Sequence, residues 1–169
     1  MAWIDLVVGS ASAEQVTLSA ATSVTASALE TVIGSASAER LTLSGAATTM
    51  VAALETLLGS ASAEQVTLSG VATTMVALLD TLLGSATVEV VTVSAGGAMR
   101  VQAIDTLIGS ASADAVTLGD DQSGGLVNLL AGADSLTLNS ASLAGFDISA
   151  FNVETLVGSA TGDRVTLGG

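Results

Sequence analysis

The chain is 169 residues long and half apolar, yet it holds only two Phe and one Trp, so any interior must be narrow and filled by Val, Leu, Ile and Ala. Sixteen carboxylates face three arginines, with no Lys and no His, and the net charge of -13 excludes nucleic-acid and anionic-membrane partners, whose counterions only cations displace. The absence of Cys excludes disulfides and thiolate metal sites, and the absence of Pro suits uninterrupted backbone ladders.

Along the chain, Met1-Ala2-Trp3-Ile4-Asp5 lacks the basic start and apolar stretch of a cleaved signal, so none is expected. From there a 25-residue period takes over. Gly-Ser recurs at Gly9, Gly34, Gly59, Gly84 and Gly109. Seven residues after each comes an apolar-Thr-apolar triplet: Val16-Thr17-Leu18, Leu41-Thr42-Leu43, Val66-Thr67-Leu68, Val91-Thr92-Val93 and Val116-Thr117-Leu118. A repeat of this length marks units that bury their apolar faces against one another, which is a solenoid.

Each unit predicts about three short strands. Gln65-Val66-Thr67-Leu68-Ser69 alternates polar and apolar with the period of a half-buried strand. The following segment, Ala72 to Leu79, contains good helix formers, but its counterparts Ser23-Val24-Thr25-Ala26-Ser27 and Met99-Arg100-Val101-Gln102-Ala103 alternate with period two. Stacked equivalents share one conformation, so all are read as strands. A third strand is Glu55-Thr56-Leu57-Leu58, and its counterparts start at Asp5, Glu30, Asp80, Asp105 and Glu154. The expected fold is an all-β parallel β-solenoid of about 25 residues per coil, one domain over 1–169, with regular coils in 5–104 and less regular ones in 105–169. The irregularity lies in Gly119–Gly125 and Asn139–Gly145, which read as altered corners around Leu136-Thr137-Leu138. A leucine-rich-repeat horseshoe is the alternative for this period, but it wants an Asn or Cys after the strand where this chain has Ser69-Gly70.

The corners carry a resemblance. Gly109-Ser110-Ala111-Ser112-Ala113-Asp114-Ala115-Val116 and Gly158-Ser159-Ala160-Thr161-Gly162-Asp163-Arg164-Val165 resemble the nonapeptide G-G-x-G-x-D-x-U-x of RTX proteins, and Gly132-Ala133-Asp134-Ser135-Leu136 resembles its second half. With Val153-Glu154-Thr155-Leu156-Val157-Gly158-Ser159 the chain is similar to bacterial RTX-like, hemolysin-type calcium-binding, β-strand-repeat surface proteins. The resemblance implies a secreted or cell-surface protein with an adhesin, surface-layer or scaffold role. It implies calcium as the ion and Asp114, Asp134 and Asp163 as its ligands. The pattern departs from that family: nonapeptides come once per 25 residues rather than in tandem, Gly is missing from the second position, and Glu14, Glu39, Glu64 and Glu89 replace Asp. Without tight Gly turns, few carbonyls converge on a hard cation that wants 6–8 oxygens, and no cofactor is required by the fold.

If equivalents stack one coil apart, three columns follow. Glu14, Glu39, Glu64, Glu89 and Asp114 form one acidic column, and Asp5, Glu30, Glu55, Asp80 and Asp105 another, with neighbours about 5 Å apart. They read either as a cation-binding strip or, preferably, as a solvated edge that keeps an apolar rod soluble. Thr17-x-Ser19, Thr42-x-Ser44, Thr67-x-Ser69 and Thr92-x-Ser94 would form an outward hydroxyl ladder, similar to ice-binding solenoids. With no His, Cys, Lys or Tyr, the chain offers no base or nucleophile active near neutrality, and no enzyme is expected. No apolar run reaches membrane-span length. The expected role is a non-catalytic structural repeat module. Its partners are adjoining coils of a longer chain or, through uncapped ends, other copies stacked head to tail into a filament.

Overall fold

A computed structural model describes residues 6–10, 14–18, 23–35, 39–45, 47–60, 64–70, 72–119, 123–140 and 144–168. In chain order the strands are β1 (Leu6–Val8), β2 (Gln15–Thr17), β3 (Ser23–Ser27), β4 (Thr31–Ile33), β5 (Arg40–Leu43), β6 (Ala47–Ala52) and β7 (Thr56–Leu58). Next come β8 (Glu64–Leu68), β9 (Ala72–Ala77), β10 (Thr81–Leu83), β11 (Glu89–Val93), β12 (Gly97–Gln102) and β13 (Thr106–Ile108). The series ends with β14 (Asp114–Leu118), β15 (Ser123–Asn128), β16 (Ser135–Leu138), β17 (Asp147–Phe151), β18 (Thr155–Val157) and β19 (Arg164–Gly168). Odd strands make a ten-stranded sheet and even strands a nine-stranded one, with every pairing parallel. The chain is an all-β parallel β-solenoid, and among the described residues there is no helix.

The coil differs from the sequence repeat. Val24 pairs with Leu41, and Leu41 with Leu57, so a turn takes about 17 residues and two strands. The 25-residue repeat is therefore one and a half turns rather than one coil, and its three strand segments do not close a three-walled coil. The physical reason is the interior. Two facing sheets interdigitate Leu and Val across a layer about 10 Å thick, whereas a third wall would open a wider space that these small side chains leave unfilled. Val24, Leu41, Leu57, Val76 and Val93 follow one another along the stack, all buried. From β2 to β13 each strand stacks on segments of another kind, so all three kinds must be strands. Ala72–Ala77 is accordingly β9, with Thr74 turned inward and its hydroxyl donated to the Leu54 carbonyl at 2.8 Å.

Because of the half turn, successive copies of one segment lie on opposite sheets. Val16, Val66 and Val116 are on the nine-stranded sheet; Leu41 and Val91 are on the ten-stranded one. Near the C-terminal end one short segment is missing between β15 and β16. There β14 stacks directly on β16, with Val116 against Leu136 and Leu118 against Leu138. The longer connection after β16 lets β17 resume the ladder on β15.

The corner before each short strand carries a residue at positive φ: Ala28, Ala53, Leu78, Ala103 and Asn152, all between 51° and 55°. An L-residue with a Cβ pays for this region with about 1 kcal/mol, and only part of that is offset against the chain entropy of Gly. Ala53→Gly and Ala103→Gly are each expected to raise stability by ~0.5 kcal/mol. The double variant should show an additive rise, because the sites are three turns apart; urea midpoints would check it.

Candidate functional site

The carboxylates gather at the two edges where the chain crosses between sheets. In the corner after each Gly-Ser, the Ser amide meets the Glu four residues on: Ser60 N donates to Glu64 Oε1 at 3.0 Å, and Ser85 N to Glu89 Oε1 at 3.0 Å. The hydroxyls of Ser10, Ser35, Ser60 and Ser85 donate to the same carboxylates. Asp114 and Asp163 close their corners in the same way, on Ser110 N at 2.7 Å and Ser159 N at 2.6 Å. A charged acceptor thus satisfies donors that the turn leaves without a ladder partner.

The next turn adds a second carboxylate. Glu14 N donates to Glu30 Oε2 at 2.8 Å, Glu39 N to Glu55 Oε2 at 2.8 Å, Glu64 N to Asp80 Oδ2 at 3.1 Å, and Glu89 N to Asp105 Oδ2 at 3.1 Å. The amide of the residue after the second acid returns the bond, as Thr31 N does to the Glu14 carbonyl and Thr56 N to that of Glu39. The two expected acidic columns therefore do not exist as columns. They interleave into inner–outer pairs on alternating edges, because 25 residues advance the chain by a turn and a half. Glu14, Glu64 and Asp114 share one edge, and Glu39 and Glu89 the other. Residues of one series on one edge stand three turns, about 14 Å, apart. Asp5 lies outside the described residues.

Nor is the inner series a solvated edge. Glu39, Glu64 and Glu89 are at most 1% exposed, while Glu30, Glu55, Asp80 and Asp105 are exposed. Oε2 of Glu14, Glu39, Glu64 and Glu89 and Oδ2 of Asp134 are buried with no hydrogen-bond partner. The Ser10 hydroxyl holds the Glu14 carboxyl below the usual carboxylate range. Burial opposes this, and the Ser10 amide and the Glu30 side chain lower it further. A carboxyl with a lowered folded-state pKa contributes stability above its unfolded-state pKa and loses it as pH falls through the folded value. A carbon-detected NMR titration should place the Glu14 inflection below that of free Glu, and Ser10→Ala should raise it.

Of the three candidate metal ligands, Asp114 and Asp134 lie in adjacent turns, with Asp114 N donating to Asp134 Oδ1 at 2.8 Å and Asp134 N to Glu154 Oε2 at 2.7 Å. Asp163 is on the opposite edge and accepts from Phe146 N at 3.2 Å. Among the described residues no group of three or more His, Cys, Asp or Glu converges in a way that would hold a metal ion. Each of these carboxylates accepts from a backbone amide, and Oδ2 of Asp134 is left without a hydrogen-bond partner.

The hydroxyl ladder also divides. Thr17 and Thr67 face out from the nine-stranded sheet, Thr42 and Thr92 from the ten-stranded one. Their neighbours across turns interrupt any lattice: Ile33 beside Thr17, Leu58 beside Thr42, Met50 and Leu83 beside Thr67, Met75 and Ile108 beside Thr92. Ser44, Ser69 and Ser94 sit past the strand ends, with hydroxyls on the carbonyls of Ala26, Val51 and Val76 at 3.2 to 3.4 Å. Ser19 lies outside the described residues.

Sequence reasoning missed the positive-φ corners, which alternate between the two edges; their one signal was Asn152, a residue tolerant of that conformation, at the place held by Ala28 and Ala53. Asn152 also donates from Nδ2 to Asn128 Oδ1 at 2.8 Å. Of the arginines, Arg100 donates to the Gly119 carbonyl at 3.3 Å, and Arg164 makes an exposed ion pair with Asp147 at 3.5 Å. A shallow cleft of about 190 Å³ beside Gly96 is walled by Val76, Leu79, Val93 and Met99, with Asp80 at its rim. No helix among the described residues is long and apolar enough to cross a membrane. Comparison with protein-family models, with curated proteins and with solved structures finds no significant match.

Proposed function

We propose that the chain is a non-catalytic structural repeat module, a stiff spacer or scaffold within a secreted or cell-surface protein of adhesin or surface-layer type. The observation that carries this reading is the pair of parallel ladders, continuous from end to end of the described strands with one register shift in β15, whose corners are bridged by carboxylates on backbone amides. Side chains that elsewhere bind or catalyse are here spent on holding one turn to the next. The chain also has no His, Cys, Lys or Tyr to act as base or nucleophile. Small-angle scattering should give a straight rod whose length grows by about 4.8 Å per turn as repeats are added in pairs. A flexible or compact profile would overturn the reading. Melting curves with calcium and with chelator are expected to coincide, since no three carboxylates converge among the described residues and a hard cation wants 6–8 oxygens.

A second reading, a head-to-tail filament, is favoured by the outermost strands. Among the described residues β1 and β19 each pair on one side only, and Leu6, Val8 and Leu167 within them are more than half exposed. Such an edge accepts further turns of the same chain or a second copy. Electron microscopy separates the two: short monodisperse rods exclude the filament.

A further inference from the structure

The shallow cleft beside Gly96 opens on the edge where β9 passes into β10 and β11 into β12. Departures from the repeat converge there. Leu78 stands where Ala28, Ala53 and Ala103 hold the same positive-φ corner, and it is 63% exposed beside the cleft. Met99 stands where Thr49 and Thr74 donate their hydroxyls to the Leu29 and Leu54 carbonyls, both at 2.8 Å. Methionine has no donor to give, so the matching carbonyl of Leu79, a residue that also lines the cleft, goes without that hydrogen bond. Gly97 keeps the cleft open, because a Cβ there would meet nothing within 4 Å. Asp80 is exposed at the rim, one turn from the buried Glu64, whose amide it accepts at 3.1 Å.

We propose that this cleft is the docking site for a lysine side chain of a partner polypeptide. Its walls are apolar, whereas the Leu79 carbonyl and the Asp80 carboxylate are both acceptors, so the occupant needs an apolar body and a donor. Lysine carries both, a four-carbon stem that packs along apolar surface and a charged head with three rotatable donors. That compact ammonium suits acceptors on two separate residues, whereas the planar guanidinium fork is matched to the two oxygens of one carboxylate. Charge points the same way. Among the lining residues Asp80 alone ionises, and the whole chain carries -13. At about 190 Å³ the cleft is smaller than the ~300 Å³ at which pockets for whole small molecules begin, and it has room for one side chain. The chain has no Lys of its own, so the occupant comes from a different protein and not from a second copy.

Amide-detected NMR titration of the whole chain at physiological ionic strength tests this, with the capped tripeptide Ala-Lys-Ala as probe and its norleucine analogue as the uncharged control. The lysine peptide is expected to give saturable shifts centred on Leu78, Gly96 and Gly97. The norleucine peptide should bind ~10-fold or more weakly, because the charge-assisted hydrogen bonds are lost. Asp80→Asn, which still accepts from Glu64 N, should weaken lysine binding to a similar degree. Met99→Thr should weaken it too, by returning a hydroxyl to the Leu79 carbonyl. Thr49 and Thr74 hold that place in other turns, so this variant keeps the fold, as far-ultraviolet circular dichroism would check. Asp105→Asn on the opposite edge should leave binding unchanged. Shifts spread evenly over Glu30, Glu55 and Asp105 would mean general attraction to the acidic edges and would overturn the proposal. So would the absence of saturable shifts, equal binding of the norleucine peptide, or a Met99→Thr variant that binds lysine as the wild type does.

Discussion

Gly84→Ala is expected to destabilise the solenoid by ~3 kcal/mol or more. A Cβ on Gly84 would lie 1.9 Å from the Ala103 carbonyl oxygen and 2.9 Å from Ile104 Cδ1. Neither can retreat cheaply. The Ala103 carbonyl is held by that residue's positive φ, and Gly84 N is itself bonded to the Gln102 carbonyl at 2.8 Å. The same contact recurs at Gly9, Gly34 and Gly59, so the Gly of the Gly-Ser signature marks a carbonyl of the next turn resting on its Cα. Gly70→Ala is the control. Its φ is +91° and its added Cβ meets nothing within 4 Å, so only backbone strain of about 1 kcal/mol is expected. Urea titrations would measure both. Because each turn contacts only its neighbours, Gly84→Ala should also broaden the transition by uncoupling the two halves of the array. Equal effects at the two glycines would refute the close-approach argument.

The second large effect is at the inner carboxylates. Glu89 is fully buried; its Oε1 accepts from Ser85 N at 3.0 Å and Thr87 Oγ1 at 3.2 Å, and its Oε2 has no partner. Glu89→Ala strips these donors of their acceptor and should cost ~2 kcal/mol. Glu89→Gln keeps the acceptor, removes a buried charge one turn from Asp105, and replaces the unpartnered oxygen with an amide nitrogen. It is expected to melt above Glu89→Ala, because it keeps the acceptor for Ser85 N and Thr87 Oγ1. Thermal melts of the two variants side by side check the order. Gln falling as far as Ala would mean that the charge itself holds the corner.

Strand identity, parallel stacking and the narrow aliphatic interior were legible in the residues, because alternation in segments such as Gln65–Ser69 reports a buried face whatever the coil length. The number of strands per turn was not. A repeat fixes how far along the chain a pattern recurs, but not through what angle the chain has wound in that distance. Every error at the candidate site descends from that one. One coil per repeat puts Thr42 beside Thr67, yet its neighbours across the ladder are Thr25 and Leu58. The same stacking puts Glu64 on a solvated strip, yet it lies buried beneath a corner whose Ser60 supplies its donors. The paucity of aromatic residues was the available clue, since a two-walled interior needs none to fill it.

The half-turn makes copy number a matter of parity. Inserting or losing one 25-residue unit would carry every downstream strand to the opposite face, whereas a pair of units would return each to its own side. The short segment missing between β15 and β16 shows the effect on a smaller scale, since it keeps Val116 and Leu136 on one sheet where an intact repeat would have parted them. A rod of this kind can lengthen freely only in even steps if one of its faces has work to do.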